Sequence, residues 1–544
     1  MASFLLRLGR LMPQTTQVTT RYCRRSAILE TQLMKHGHEL SVFRSQFLST
    51  SACCQQFSTS FNSHKPENDF RRILKRLDDA VRATGRITQN QLTAVFSEVC
   101  KMKVATPNQA LLLIRSCGSL LPEMPLEKRS ELAHKIWEKL AQLGTLYDVS
   151  HYNALLRVYL QNEHKFQPTD FLANMEAKGI EPNRVTYQRL IAAYCQMGDI
   201  DGATKILEFM KSKDLPITEG VFNSLIEGHA KAGNMESAKE IPDLMRNVGL
   251  EPSFETYSNL LCAYAIKGDM AALESTLEEL KAISITIPDK VYLNVIDKLA
   301  CNGYGSEVPK ILENVKFIGG FLQEAINLII SLLTKGHDES AFAIVRLFKS
   351  LTNDTAAFPG QDINRCNFLI DHLVQMKMPL DKMCMYMEEL QELGLHQSPY
   401  ILGLQCSLRR GLEYRDYSLS ILETIHKKNI PIRGLYFYPL MALEANQKNN
   451  SGILKLFKMA VDMNATMSSD IFKMYILPAI QGTTDEIIQQ LKDSGAVLDD
   501  TLLTAVCRQE SSKGNLASVY KIVEDNPDLD VAAFRTNIHE GFIK

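Results

Sequence analysis

Histidine, cysteine, serine and the acidic residues could do covalent or metal chemistry, yet none falls at a spacing that such chemistry uses. The chain holds no Gly-x-x-x-x-Gly-Lys to cradle a phosphate, no His-Glu-x-x-His to hold zinc and no Gly-x-Ser-x-Gly nucleophile turn. Gly303-Tyr-Gly305 opens like a dinucleotide loop, but it lacks a third glycine and a preceding strand, which makes it a turn between paired helices. His36 and His38 lie near the N-terminus, and His134, His151, His164 and His229 are scattered without metal-ligand spacing. The twelve cysteines include no Cys-x-x-Cys, and Cys195 and Cys262 fall inside helical patterns, where a reduced thiol acts as a small apolar side chain. An enzyme is therefore not expected, nor a cofactor, a metal site or a small-molecule substrate.

What recurs instead is an element. Tyr152, Tyr187, Phe222, Tyr257 and Tyr292 follow one another every 35 residues. Leu155-Leu156, Leu190-Ile191, Leu225-Ile226 and Leu260-Leu261 come three and four positions later, one helical turn on, and share a buried stripe with the aromatics. Gly198-Asp199, Gly233-Asn234 and Gly268-Asp269 then supply a helix stop and a cap for the next helix. Ala203 and Ala238, with Met210 and Met245, mark the second helix. Gly179 to Asn183 and Gly249 to Ser253 close the unit with a turn around Pro182 or Pro252. A lone helical hairpin cannot bury both its faces, so the pattern predicts an all-α, right-handed superhelical solenoid of helix-turn-helix units.

The segment from Val185 to Ile191, behind the Pro182-Asn183 boundary, resembles the pentatricopeptide repeat. The runs Leu111 to Glu123 and Tyr147 to Leu156 resemble the leucine-rich pentatricopeptide-repeat family of animal mitochondria. The likeness runs from about Phe70 to Pro288 and becomes patchy beyond. It implies a scaffold for single-stranded mitochondrial messenger RNA that supports stability, polyadenylation and translation. It also implies a small RNA-recognition-motif partner, the stem-loop-interacting RNA-binding protein. Members of the family are longer, so a shortened form or N-terminal portion is expected.

In this family the residue after the aromatic and the last residue of the repeat read one base together. With repeats at 149–183, 184–218, 219–253 and 254–288, the resemblance pairs Asn153 with Asn183, Gln188 with Thr218, Asn223 with Ser253 and Ser258 with Pro288. Asn153/Asn183 resembles a pyrimidine-reading pair and Asn223/Ser253 a cytosine-leaning one, since an amide can both donate and accept. The other two pairs match no such code. An aliphatic residue two before the aromatic sandwiches the base, a role that Val185 fits and that Ser150, Gly220 and Glu255 do not. Solvated polar positions on a helix face are the competing reading of these side chains. A rival from another class is a protein-interaction solenoid with little direct RNA binding, extended by analogy to nuclear transcription or messenger export. Tyr438 and Lys473 in the corresponding slots further along favour protein or phosphate contact.

Residues 1–60 carry seven basic and two acidic side chains with many Ser and Thr, the composition of a mitochondrial presequence. Import into the matrix is expected, with a minor nuclear pool possible by family analogy. Without those residues the formal charge falls from −2 to −7, too acidic for general attraction to phosphate, so recognition would have to be local. No run approaches the ~18 apolar residues of a membrane span. The expected organisation is 1–60 presequence, 61–148 divergent capping hairpins, 149–323 clear repeats and 324–544 degenerate repeats. The capping helices are expected at Phe70 to Val81, Gln91 to Met102, Asn108 to Cys117 and Leu126 to Leu143, and a hinge at Thr352 to Ile363.

Overall fold

The first helices of successive units begin at Val149, Arg184, Glu219, Phe254 and Asp289, each 35 residues after the one before. The computed structural model describes residues 65–282, 287–316, 321–349, 366–527 and 529. Among these residues all regular structure is helical, with no strand. The chain falls into two compact units, Met1–Phe348 and Lys349–Lys544. The presequence reading of 1–60 and the hinge at Thr352 to Ile363 lie outside the described residues.

In the first unit the repeat follows local chemistry. Gly233 and Gly268 close their helices at φ 86° and 70°, a left-handed conformation that costs glycine little. Asn234 then accepts from the Ser237 amide and Asp269 from that of Ala272, capping the second helices. Tyr152, Tyr187, Phe222 and Tyr292 are buried with the Leu and Ile that follow them, and Ala203, Ala238, Met210 and Met245 are fully enclosed. Tyr257 departs from the stripe. It is half-buried, and its hydroxyl accepts from Arg246 Nη2 at 2.8 Å, so it is not the core residue that its period predicts. The second helix of the unit from Glu219 is broken into Met235–Lys239 and Ile241–Asn247, because Pro242 has no N–H to bond back along the helix.

Upstream, helices span Lys65–Thr84, Gln89–Met102, Pro107–Ser116 and Leu126–Gln142. Thr88 with Gln91, and Thr106 with Gln109, form reciprocal capping boxes. One apolar core runs from Phe70 through Ile136 to Tyr159, joining these hairpins to the first clear repeat. Trp137 stacks on Tyr147 at 3.9 Å and meets Tyr152 edge-on, which seals that joint. The unit also closes on itself. Asn327, on the helix Leu322–Thr334, accepts from Arg86 Nη1 at 2.8 Å and donates to the Thr84 carbonyl at 2.9 Å. Thr334 Oγ1 donates to the Pro122 carbonyl at 3.0 Å.

In the second unit Gly514-Asn515 joins Asp500–Ser512 to Leu516–Asp525, as the turn pattern predicts. Gly336-His337 makes the same join in the first unit, between Leu322–Thr334 and Asp338–Leu347. Phe437 and Phe472 are both buried, but Phe472 opens a π-turn that runs to Ile476. Pro478 removes the amide that an α-helix would bond there, and Tyr475 is only half-buried.

Gly228 shows how closely adjacent units approach. A Cβ there would lie 2.9 Å from both Cβ and Sγ of Cys195 on the preceding first helix, and as near to Ile200. Gly228→Val is expected to lose about 1–3 kcal/mol through overpacking. A lower midpoint of urea denaturation, followed by helix circular dichroism, checks this.

Candidate nucleic-acid interface

Because each first helix starts one residue after a repeat ends, the last residue of every repeat is the N-cap of the next helix. Asp148, Asn183, Thr218, Ser253 and Pro288 hold these positions. Each proposed pair therefore sets the fifth residue of one first helix against the cap of the next.

Two of the four pairs meet directly. Asn153 Nδ2 donates to Asn183 Oδ1 at 3.1 Å, and Gln188 Nε2 donates to Thr218 Oγ1 at 2.8 Å. Asn183 Oδ1 also accepts from the Thr186 amide and hydroxyl, at 3.1 and 3.2 Å, so its oxygen is fully used and its amino group is what remains to offer. Asn153 is the complement. It is 7% exposed, and its Oδ1 has no hydrogen-bond partner.

The other two pairs do not join. Asn223 is equally buried and its Oδ1 is equally unpaired, but Ser253 turns away from it. The Ser253 hydroxyl and amide both donate to Glu219 Oε1, which also takes the Thr256 hydroxyl at 2.8 Å. Glu219 therefore serves the cap and leaves Asn223 alone. Pro288 caps its helix without any side-chain bond, and no hydrogen bond joins it to the half-buried Ser258. Val185, half-buried, stands three residues before Gln188 on the same helical face.

Two of the histidines noted in the sequence serve the scaffold. His151 lies between Asp148 Oδ1 at 2.7 Å and the Pro107 carbonyl at 3.0 Å, and His134 meets the Tyr159 hydroxyl at 2.7 Å. Burial and the neighbouring His134 lower the pKa of His164. Burial pushes the Cys262 and Cys117 thiols up to about 12, so neither is a ready nucleophile. Among the described residues no group of three or more His, Cys, Asp or Glu side chains could hold a metal ion. No described helix is long and apolar enough to cross a membrane.

Four residues beyond the fifth position comes a row that the sequence reading missed, Arg157, Ala192, Glu227, Cys262 and Asp297 in successive units, of which Arg157, Glu227 and Asp297 are charged. Glu227 pairs with Lys231 at 3.1 Å and Lys298 at 3.7 Å, and Asp297 pairs with Lys335 at 2.9 Å. The signal was in the period, since these residues recur at one offset. What it could not show was which charges find partners, and on which helix.

Stacked helical hairpins at a 35-residue period, with side chains paired across the mouths of successive first helices, define a pentatricopeptide-repeat solenoid. A family model described as the pentacotripeptide-repeat region of PRORP matches residues 62–241, and one described as pentatricopeptide repeat-containing protein matches residues 203–303. The chain is 42% identical over 481 residues, 88% of its length, to the leucine-rich PPR motif-containing protein, mitochondrial, of Xenopus tropicalis. The proteins of that name from Rattus norvegicus and Mus musculus match at 51% over 454 residues and 43% over 480, covering 83% and 88% of this chain. The chain belongs to the family of leucine-rich PPR motif-containing proteins. It spans about a third of the length of these relatives, at 34%, 32% and 34%. Among solved structures, maize PPR10 aligns over 99% of this chain and 95% of its own at 14% identity, with a TM-score of 0.27. PPR10 in complex with an 18-nt psaJ RNA element aligns over 99% and 85% at 16% identity, with a TM-score of 0.26.

Glu227 gives a pH test. Burial opposes its charge, but Lys298 and Lys231 outweigh it and hold its pKa below the ordinary value of 4.5. A depressed folded pKa gives stability that is complete above the unfolded value and lost as pH falls through the folded one. Glu227→Gln is therefore expected to be less stable than wild type at about pH 6, with the difference shrinking toward about pH 3. Thermal melting of both forms across that range checks it.

Proposed function

We propose that this chain is an RNA-binding repeat scaffold for mitochondrial messenger RNA, with the strand lying along the first helices of repeats 149–288. Stabilising transcripts in the matrix, and supporting their polyadenylation and translation, is the role that the family resemblance attaches to such a scaffold. A small RNA-recognition-motif protein is the partner proposed with it, and a presequence at 1–60 the means of import.

One observation carries this reading. Asn153 and Asn223, two periods apart at the same helical position, each bury an amide oxygen with no protein partner. An unmet buried acceptor costs about 1–3 kcal/mol, so two at one register are costly unless a donor comes from a ligand. The exocyclic amino group of an exposed base supplies such a donor on its Watson–Crick edge. Asn183, its own oxygen spent, is left with an amino group for the acceptor beside it. Gln188 with Thr218, flanked by Val185, forms the next position along, and Ser258 the weakest.

A second reading is favoured by the other unit. Leu435, Tyr438 and Met474 expose 66%, 40% and 57% of their surface there, which suits contact with protein. That unit would then serve partners, with any nuclear pool acting through the same surface.

The decisive experiment is ultraviolet crosslinking in cells, with sequencing of the RNA bound to wild type and to Asn153→Ala/Asn223→Ala. Mitochondrial messengers enriched on wild type and depleted on the variant are the expected result. In vitro, each Ala substitution is expected to cost about 1 kcal/mol, roughly fivefold in Kd for a single-stranded RNA that wild type prefers. A folded, imported protein that crosslinks to no RNA would sink this function and leave the protein-binding reading.

A further inference from the structure

One ion pair in the first unit skips a repeat. Glu227, on the helix Glu219–Ala232, lies 3.7 Å from Lys298, on the helix Asp289–Cys301, and the helix Phe254–Lys267 packs between the two. In a curved stack of hairpins, side chains two units apart come within reach on the inside of the curve, where the first helices converge. The pair therefore marks the concave face. It can span that face because Cys262, at the same register on the intervening helix, is short. Burial, and after it the charges of Lys298, Glu227 and Asp297, act on the Cys262 thiol, which places it beside the bridge.

Three lysines converge on two carboxylates along this face. Lys231 also reaches Glu227, at 3.1 Å, and Lys335 reaches Asp297 at 2.9 Å and the Cys301 thiol at 3.4 Å. These five charged side chains keep 19% to 29% of their surface exposed, so a solute can reach them. Glu227 stands four residues past Asn223, one helical turn along the same face, and Asp297 holds the same place in its own unit. Burial opposes the charge of Lys298, but Glu227, with Cys262 and Asp297, outweighs it and raises the pKa. A phosphate drawn to Lys298 would come to rest beside Glu227, and like charges set side by side oppose each other.

We propose that Glu227 and Asp297 are specificity-determining residues, which withhold Lys231, Lys298 and Lys335 from the phosphates of a single-stranded nucleic acid and leave recognition there to the base-facing amides. The inference rests on the RNA-binding reading above and deepens it. A phosphate contact strengthens binding to every sequence alike, whereas a base contact separates one sequence from another. Carboxylates that occupy the lysines of the groove therefore trade affinity for dependence on the bases. Asn223, one turn from Glu227, is the amide most directly served.

The test is the salt dependence of affinity for fluorescent oligouridine and oligoadenosine, measured by anisotropy on the full chain. Wild type is compared with Glu227→Gln/Asp297→Asn and with Glu208→Gln/Glu278→Gln, a control that removes two exposed acids from the second helices Ile200–Ser212 and Met270–Ala282. Each phosphate contact on a single strand contributes a slope of about −0.7 in log K against log salt. The groove variant is expected to bind both strands several-fold more tightly at low salt, by a similar factor, with a slope steeper by about 0.7 to 2, while the control changes far less. No gain over the control, or a gain on one strand alone, would overturn the inference. If the groove variant does not fold, Asp297→Asn alone decides, because it releases Lys335 and leaves Glu227 with its two lysines. If no form binds either RNA, the function proposed above fails separately, and thermal stabilisation by inorganic tripolyphosphate becomes the readout. Greater stabilisation of the groove variant than of wild type then sustains the withheld lysines, and equal stabilisation abandons them.

Discussion

A pair of antiparallel helices has two apolar faces and can cover only one of them from within, and every other feature of the first unit follows from covering the second. The cover is the next hairpin, so core positions return whenever a hairpin is complete. Tyr152, Tyr187, Phe222 and Tyr292 are buried for this reason, and Gly228 is glycine because the neighbouring helix at Cys195 comes within contact distance. The Trp137 and Tyr147 stack extends the same solution upstream, where the period has faded but the uncovered face has not.

That stacking puts the start of one first helix beside the first turn of another. The residue that caps the helix is then also the residue presented to the neighbour's fifth position, and two demands fall on one side chain. Asn183 meets both, with its oxygen shared between Thr186 and Asn153. Ser253 meets only the structural one, since Glu219 captures it. Pro288 sets the backbone angle and offers no side-chain bond at all. The row of caps is therefore uneven, in a way that cap chemistry explains.

Much of this was legible beforehand. The aromatic period, the Gly-Asx turns and the helix starts at Val149 and Arg184 come from interactions within a few residues, where side-chain type and spacing are nearly sufficient. The candidate site was legible as positions, since its residues fall on first-helix faces or at their caps. The state of each was not. That Asn153 bonds Asn183 while Asn223 stands apart from Ser253 depends on Glu219, a residue with no mark of its own in the pattern. Tyr257 misled because the period assigns burial by position, whereas Arg246 draws its hydroxyl to the surface.

The sequence by itself determined the helical hairpin, its length, its turns and the register of polar positions along it. These are set by local propensity and by the periodicity of apolar residues, and both are written in the order of the chain. Only the tertiary structure decided which charges pair across units. Glu227 finds Lys298 and Asp297 finds Lys335 across units. It also decided that Asn327 would close on Arg86 and the Thr84 carbonyl, more than 240 residues away in sequence. Contacts at that separation arise from small rotations accumulated over many stacked units. No single repeat encodes them.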